Sequence, residues 1–220
     1  MKSCLLIGYG PGLGAALARA FGAEGYALGL ISRSAENLAR GERDLDGRGV
    51  RARGFVADAG DEHALQKALR HAESELGPPG VLLYNAAALR SGRPLGMSRE
   101  DVVHDFRVNV AGALTAVQHV APGMRARGQG TILLTGGGLS LKPLTGYASL
   151  SLGKAALRNL AHTLADELQP EGIHVATVTI AGFIKPGTSL APDRLAAEFV
   201  DLHRQAPGAW DVERIIPPIS

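Results

Sequence analysis

Leu5-Leu6-Ile7-Gly8-Tyr9-Gly10-Pro11-Gly12-Leu13-Gly14 joins a short apolar run to a glycine-rich turn and the start of a helical pattern. The apolar run has the length of a buried strand, and apolar residues then recur at helical spacing as far as Ala23. Glycine allows a tight turn and lets the backbone come close to a ligand. A helix starting directly afterwards offers free amides and the positive end of its dipole, which together hold a pyrophosphate. Gly8, Gly10, Gly12 and Gly14 all stand in this turn. A glycine-rich loop alone is a weak signal, and the strand before it and the helix after it are what give this one weight.

The same alternation runs along the whole chain. Strands are predicted at Ser3–Gly8, Tyr26–Ser32, Arg51–Ala57, Gly80–Tyr84, Gly130–Thr135, His174–Ile180 and Val212–Ile216. Helices are predicted near Gly12–Ala23, Ala35–Leu45, Glu62–Leu76, Arg99–Arg127, Tyr147–Leu168 and Pro192–His203. Nearly continuous apolar strands separated by amphipathic helices indicate a parallel sheet covered on both faces. Right-handed crossovers make that an α/β, doubly wound Rossmann-type sheet of about seven strands, one domain over residues 1–220. The ligand crevice belongs at the carboxyl ends of the strands, where the glycine turn lies.

Composition excludes several function classes. Of 220 residues, 45% are hydrophobic and 20% charged, with a formal net charge of +2, as expected for a globular chain. Arg48, Arg51 and Arg53 form one tight basic knot, which reads as a solvated sheet edge rather than a nucleic-acid surface. Cys4 is the sole cysteine, so no disulfide forms within the chain. No long apolar segment suggests a membrane partner, and the cytoplasm is the expected location.

At the end of the second predicted strand stand Ser32 and Arg33. An acidic residue there would accept hydrogen bonds from a ribose 2′-hydroxyl and repel a 2′-phosphate. The guanidinium of Arg33 would instead bind phosphate oxygens, which points to NADP(H) rather than NAD(H). A solvated loop arginine is the alternative reading.

Gly130-Thr-Ile-Leu-Leu-Thr-Gly-Gly-Gly138 and Tyr147-Ala-Ser-Leu-Ser-Leu-Gly-Lys154 supply the next evidence. With the glycine turn they resemble the short-chain dehydrogenase/reductase family over nearly the whole chain. The resemblance implies an NADP(H)-dependent oxidoreductase that is a homodimer or homotetramer paired through its two long helices. Ala111, Gly112, Ala155 and Ala156 are small enough for close packing there. The resemblance also assigns residues, beginning with Gly8, Gly12 and Gly14, which match the family's Gly-x-x-x-Gly-x-Gly cofactor turn. Asp58 would contact the adenine amino group, and Asn85 and Ala86 would line the cofactor after the fourth strand. Asn109 would support a water linked to Lys154, although structural glue is its alternative. Ile184 would meet the nicotinamide amide through its backbone, and Thr188 would supply a nearby hydroxyl. Lys154 would hold the nicotinamide ribose.

The family places a tyrosine four residues before its lysine and a serine thirteen residues before that tyrosine. In this chain those positions are Leu150 and Gly137. Tyr147 is the nearest tyrosine. Seven helical residues turn through about 700°, which puts Tyr147 and Lys154 within roughly 20° of one face but about 10 Å apart along it. Side chains tilt toward the helix N-terminus, so Tyr147 leans away from the lysine. Ser140, Thr135 and Ser149 are further hydroxyls near the site, each with a turn or cap explanation. Three functions therefore stay open: reduction of a small carbonyl or activated alkene with an atypical proton donor, nucleotide binding without turnover, and a non-redox lyase or isomerase reaction. The segment after Ile180 is short, which predicts a substrate pocket that is either open or completed by a neighbouring subunit.

Overall fold

Ser3–Ile7 (β1) is buried at every residue and pairs in parallel with Ala27–Ser32 (β2) on one side and Pro79–Tyr84 (β4) on the other. The computed structural model describes residues 2–217. Beyond β2 lies Ala52–Val56 (β3), and beyond β4 lie Gly130–Gly137 (β5), Ile173–Ile180 (β6) and Glu213–Ile216 (β7). The order β3-β2-β1-β4-β5-β6-β7 is parallel throughout, and the direction of winding reverses between β1 and β4. A crevice opens where two neighbouring strands send their connections to opposite faces.

The helices are Leu13–Ala23 (α1), Ala35–Asp46 (α2), Glu62–Leu76 (α3), Arg99–Phe106 (α4), Gly112–Arg127 (α5), Ala148–Leu168 (α6) and Pro192–His203 (α7). On one face of the sheet, Leu65, Leu69, Val117, Met124, Leu157 and Leu168 from α3, α5 and α6 pack against Leu5, Leu82 and Ile132. On the other, Leu17, Phe21, Leu38, Leu195 and Phe199 from α1, α2 and α7 cover Leu6, Leu28 and Leu83. Both faces are buried, which is why the strands carry no polar–apolar alternation.

Three details differ from the sequence expectation. The helix predicted over Arg99–Arg127 is interrupted by a π turn at Arg107–Ala111. Inside that turn, the Tyr84 hydroxyl donates to the Val108 carbonyl at 2.5 Å, occupying an acceptor that a regular helix would use internally. Second, β5 runs two residues further than predicted, to Gly137, because β6 pairs with it as far as Ile180. Third, Gly112 faces inward rather than toward a partner: a Cβ there would collide with the Ala59 carbonyl and the Tyr84 hydroxyl. The basic knot lies as expected beside β3, the sheet edge, where Arg53 approaches Glu75 at 3.6 Å.

Candidate active site

The glycine turn leaves β1 with Gly8 at φ +89°, a left-handed conformation that side chains other than glycine disfavour. A Cβ on Gly8 would also strike the backbone of Asn85 and Ala86. Gly14 is packed almost as tightly, with a Cβ meeting the Gly8 carbonyl at 3.0 Å. Gly10 and Gly12 differ: nothing lies within 4 Å of where their Cβ atoms would be. Two glycines thus close the turn, and two leave open space beside the start of α1.

A cavity of about 240 Å³ opens at the carboxyl ends of β1, β2 and β4. Gly8, Ser32, Arg33, Asp58, Asn85 and Ala86 line it, six of the residues expected at a nucleotide site. Arg33 is 71% exposed at the side chain and lies 3.8 Å from Asp58. Asp58 also accepts from the Gly60 amide at 2.8 Å, which fixes its loop. Ser34 caps α2 by accepting from the Asn37 amide at 3.1 Å.

From this cavity a hydrogen-bond chain leads to the lysine. The Asn85 side-chain amide donates to the Gly8 carbonyl at 2.9 Å, and its oxygen accepts from Thr135 Oγ1 at 3.0 Å. The Thr135 carbonyl then accepts from Lys154 Nζ at 2.6 Å. Lys154 is 7% exposed, and burial without a carboxylate partner lowers its pKa from 10.5 to about 8. The sequence offered Thr135 only as a spare hydroxyl. Its part as the link between turn and lysine was invisible because the partners are 50 and 19 residues away.

Asn109 lies in the π turn with 1% exposure. Its oxygen accepts from the Ala88 amide at 2.8 Å, while Nδ2 is buried with no partner among the described residues. An unpaired buried amide of this kind suits a bridging water. Leu150 is buried one turn before Lys154, and Gly137 lies directly against the lysine stem. Tyr147 is the N-cap just before α6, with a non-helical backbone, although the sequence placed it inside the helix, and it is half-buried.

Other expected site residues are more remote from this chain of bonds. Ile184 lies 41% exposed in the loop after β6. Thr188 turns its hydroxyl back into the same loop, donating to the Lys185 carbonyl at 2.8 Å and accepting from the Leu190 amide at 3.1 Å. Asp105 and Ser149, both buried, meet the 37%-exposed Arg90 in a polar cluster that no motif announced. Among the described residues no group of three His, Cys, Asp or Glu side chains is placed to hold a metal. No helix among them is long and apolar enough to cross a membrane.

This fold, with its glycine turn at the switch point and a buried lysine at the head of α6, defines a class of nucleotide-dependent proteins. The short chain dehydrogenase family model matches residues 2–194, and the chain belongs to that family. It is 32% identical over 178 residues to a 3-dehydrosphinganine reductase of Arabidopsis thaliana, covering 79% of this chain and 53% of that protein. To oxidoreductase UcpA of Escherichia coli it is 32% identical over 180 residues, which is 80% of this chain and 67% of the relative. Among solved structures, a short-chain dehydrogenase from Rhodopseudomonas palustris is 28% identical, with 99% of each chain covered and a TM-score of 0.89. A metagenomic short-chain oxidoreductase solved in complex with NADP is 25% identical, with 100% and 98% covered and a TM-score of 0.90.

Proposed function

We propose that this protein is an NADP(H)-dependent oxidoreductase that reduces a small carbonyl or activated alkene using an atypical proton donor. The observation that carries the reading is the bonded chain Gly8–Asn85–Thr135–Lys154, which ties the glycine turn to a buried lysine. The residues fit such a cofactor. Gly10 and Gly12 leave room that would take a pyrophosphate, and Asp58, Ser32 and Arg33 line the cavity, where Asp58 would meet adenine and Ser32 and Arg33 the 2′-phosphate. Lys154 would hold the ribose. Ile184 and Thr188 would close the nicotinamide end, and Asn109 would keep a water beside the lysine. When bound, the cofactor supplies the hydride. The relative solved with NADP supports the choice of cofactor.

The chain's own residues must supply binding, orientation and a proton. Around α6 most hydroxyls are engaged: Thr135 with Asn85, Ser149 with Asp105, and Ser151 with the Tyr147 carbonyl. Ser140 is unengaged but lines a separate hollow with Arg158 and His162. Tyr147 is left as the donor, drawing its replacement proton from solvent because it is half-exposed. Loops leaving the carboxyl ends of β4, β5 and β6 carry exposed Leu89, Leu144, Phe183 and Ile184, a rim suited to an apolar substrate. Exposed Val103, Phe106 and Leu114 on α4 and α5 favour a homodimer or homotetramer, and a monomeric mass at micromolar concentration would exclude it.

A second reading has an observation of its own. Gly137 and Leu150 leave no hydroxyl at the two positions beside Lys154, which suits a nucleotide-binding sensor or partner protein without turnover. Nicotinamide absorbance during incubation with a panel of ketones, aldehydes and enones separates the two. Oxidation of NADPH that depends on both substrate and protein supports the reductase, and tight NADPH binding with no oxidation supports the sensor.

A further inference from the structure

Three segments around Lys154 meet at one carboxylate. Asp105, on α4, is 1% exposed. Its Oδ2 accepts a short hydrogen bond from Ser149 Oγ in the first turn of α6, and another from Arg90 Nε at 3.0 Å. Arg90 belongs to the loop that follows β4, and its other arm reaches Asp101 at 2.9 Å. Four residues beyond Asp105, Asn109 grips the same loop through the Ala88 amide, and Gly153 of α6 packs against the Asn109 side chain so tightly that a Cβ would stand 2.8 Å from it.

These contacts make two rungs. One joins Ala88, Asn109 and Gly153, and the other joins Arg90, Asp105 and Ser149. The spacing is two residues along the loop and four along each helical segment, so the loop is stitched across the groove between them. Just beyond Arg90, Gly92 donates to the Gly146 carbonyl at 2.8 Å and accepts from the Ala148 amide at 3.2 Å. Tyr147 lies inside that exchange, and Leu150 and Lys154 each follow a rung residue by one.

Packing alone does not explain Asp105. Its Oδ1 is buried with no partner among the described residues. A half-satisfied buried carboxylate costs stability, and an apolar side chain would serve helix packing better. We propose that Asp105 is a positioning residue that fixes the first turn of α6, and with it Tyr147 and Lys154, against the loop after β4. The proposal rests on the reductase reading given above.

Two variants test it, with cyclohexanone and 2-cyclohexenone as probe substrates. Asp105→Asn keeps the shape but loses the charge that holds Arg90, and Ser149→Ala removes one bond while leaving the carboxylate. In Asp105→Asn, kcat should fall by about tenfold to a hundredfold, as a small misplacement of reacting groups does. NADPH affinity, read by nicotinamide fluorescence, should fall by much less than kcat, because Asp105, Arg90 and Ser149 lie outside the cofactor cavity and act on the cofactor only through the placement of Lys154. Amide exchange at Gly92 and Ala148 should quicken while exchange in β1 and β4 does not change. Ser149→Ala should move kcat and exchange in the same direction by less, and it is read by the same criteria if Asp105→Asn does not fold. An unchanged kcat with a lowered melting temperature would make Asp105 structural glue and overturn the proposal. So would a parallel loss of kcat and NADPH affinity. If the unaltered chain reduces neither probe, the reductase reading fails separately, and unchanged exchange at Gly92 and Ala148 would then sink the tie itself.

Discussion

Gly137 lies flat against the stem of Lys154: a Cβ built on Gly137 would stand 3.4 Å from the lysine Cγ and 3.6 Å from Cδ and Cε. Those are ordinary contact distances, so a Cβ fits there without displacing the lysine. Leu150, one turn before Lys154, fills the neighbouring place with an apolar side chain. Gly137→Ser combined with Leu150→Tyr should therefore place two hydroxyls beside the lysine. General acid catalysis contributes about 10²–10⁴-fold, and cyclohexanone reduction should rise within that range. No gain in a folded variant that still binds NADPH would show that proton supply does not limit the rate.

Tyr147→Phe probes the donor already present. Loss of one hydroxyl from the start of α6 should lower kcat by about 10²-fold or more while NADPH affinity holds. A healthy rate in the variant would assign the proton to solvent.

Arg33→Ala should weaken NADPH far more than NADH. A charged hydrogen bond to phosphate contributes about 1.5–3 kcal/mol, and an exposed arginine already beside Asp58 belongs at the low end, on the order of tenfold in affinity. Titration of both cofactors by fluorescence decides the matter, and equal losses would show that Arg33 does not read the 2′-phosphate.

Lys154 makes stability depend on pH. Its folded pKa is about 8 against 10.5 for the free side chain, so the folded state releases the proton first. Below about pH 8 both states are protonated and the cost of burying the ammonium is fully present. Between about 8 and 10.5 the unfolded chain holds a proton that the folded chain has lost, so stability rises with pH across that window. At about 1.4 kcal/mol for each pH unit, the cost is on the order of 3 kcal/mol. Lys154→Met should stabilise the cofactor-free chain at pH 7, flatten the rise toward pH 10, and weaken NADPH binding. Urea unfolding at the two pH values gives the check, and a Lys154→Met chain less stable than the parent at pH 7 would contradict it.

Most of the fold was legible because its signals are local. The glycine turn, the apolar runs and the helical spacing each need only neighbouring residues, and together they placed seven strands in one parallel sheet. The register from Lys154 back to Leu150 and Gly137 is likewise a matter of counting, and the structure does place both residues against or beside the lysine. Gly8 is written in the sequence as a turn residue, but the backbone of Asn85 and Ala86 that forbids a Cβ there is supplied by another strand. The sequence alone could not break the helix at Arg107–Ala111, since the Tyr84 hydroxyl that occupies the Val108 carbonyl comes from 24 residues away. Nor could it turn Gly112 inward, link Thr135 to Lys154, or join Arg90, Asp105 and Ser149. Each of those depends on segments that meet only when the sheet has formed, and a hydrogen bond between distant residues leaves no period in the chain to read.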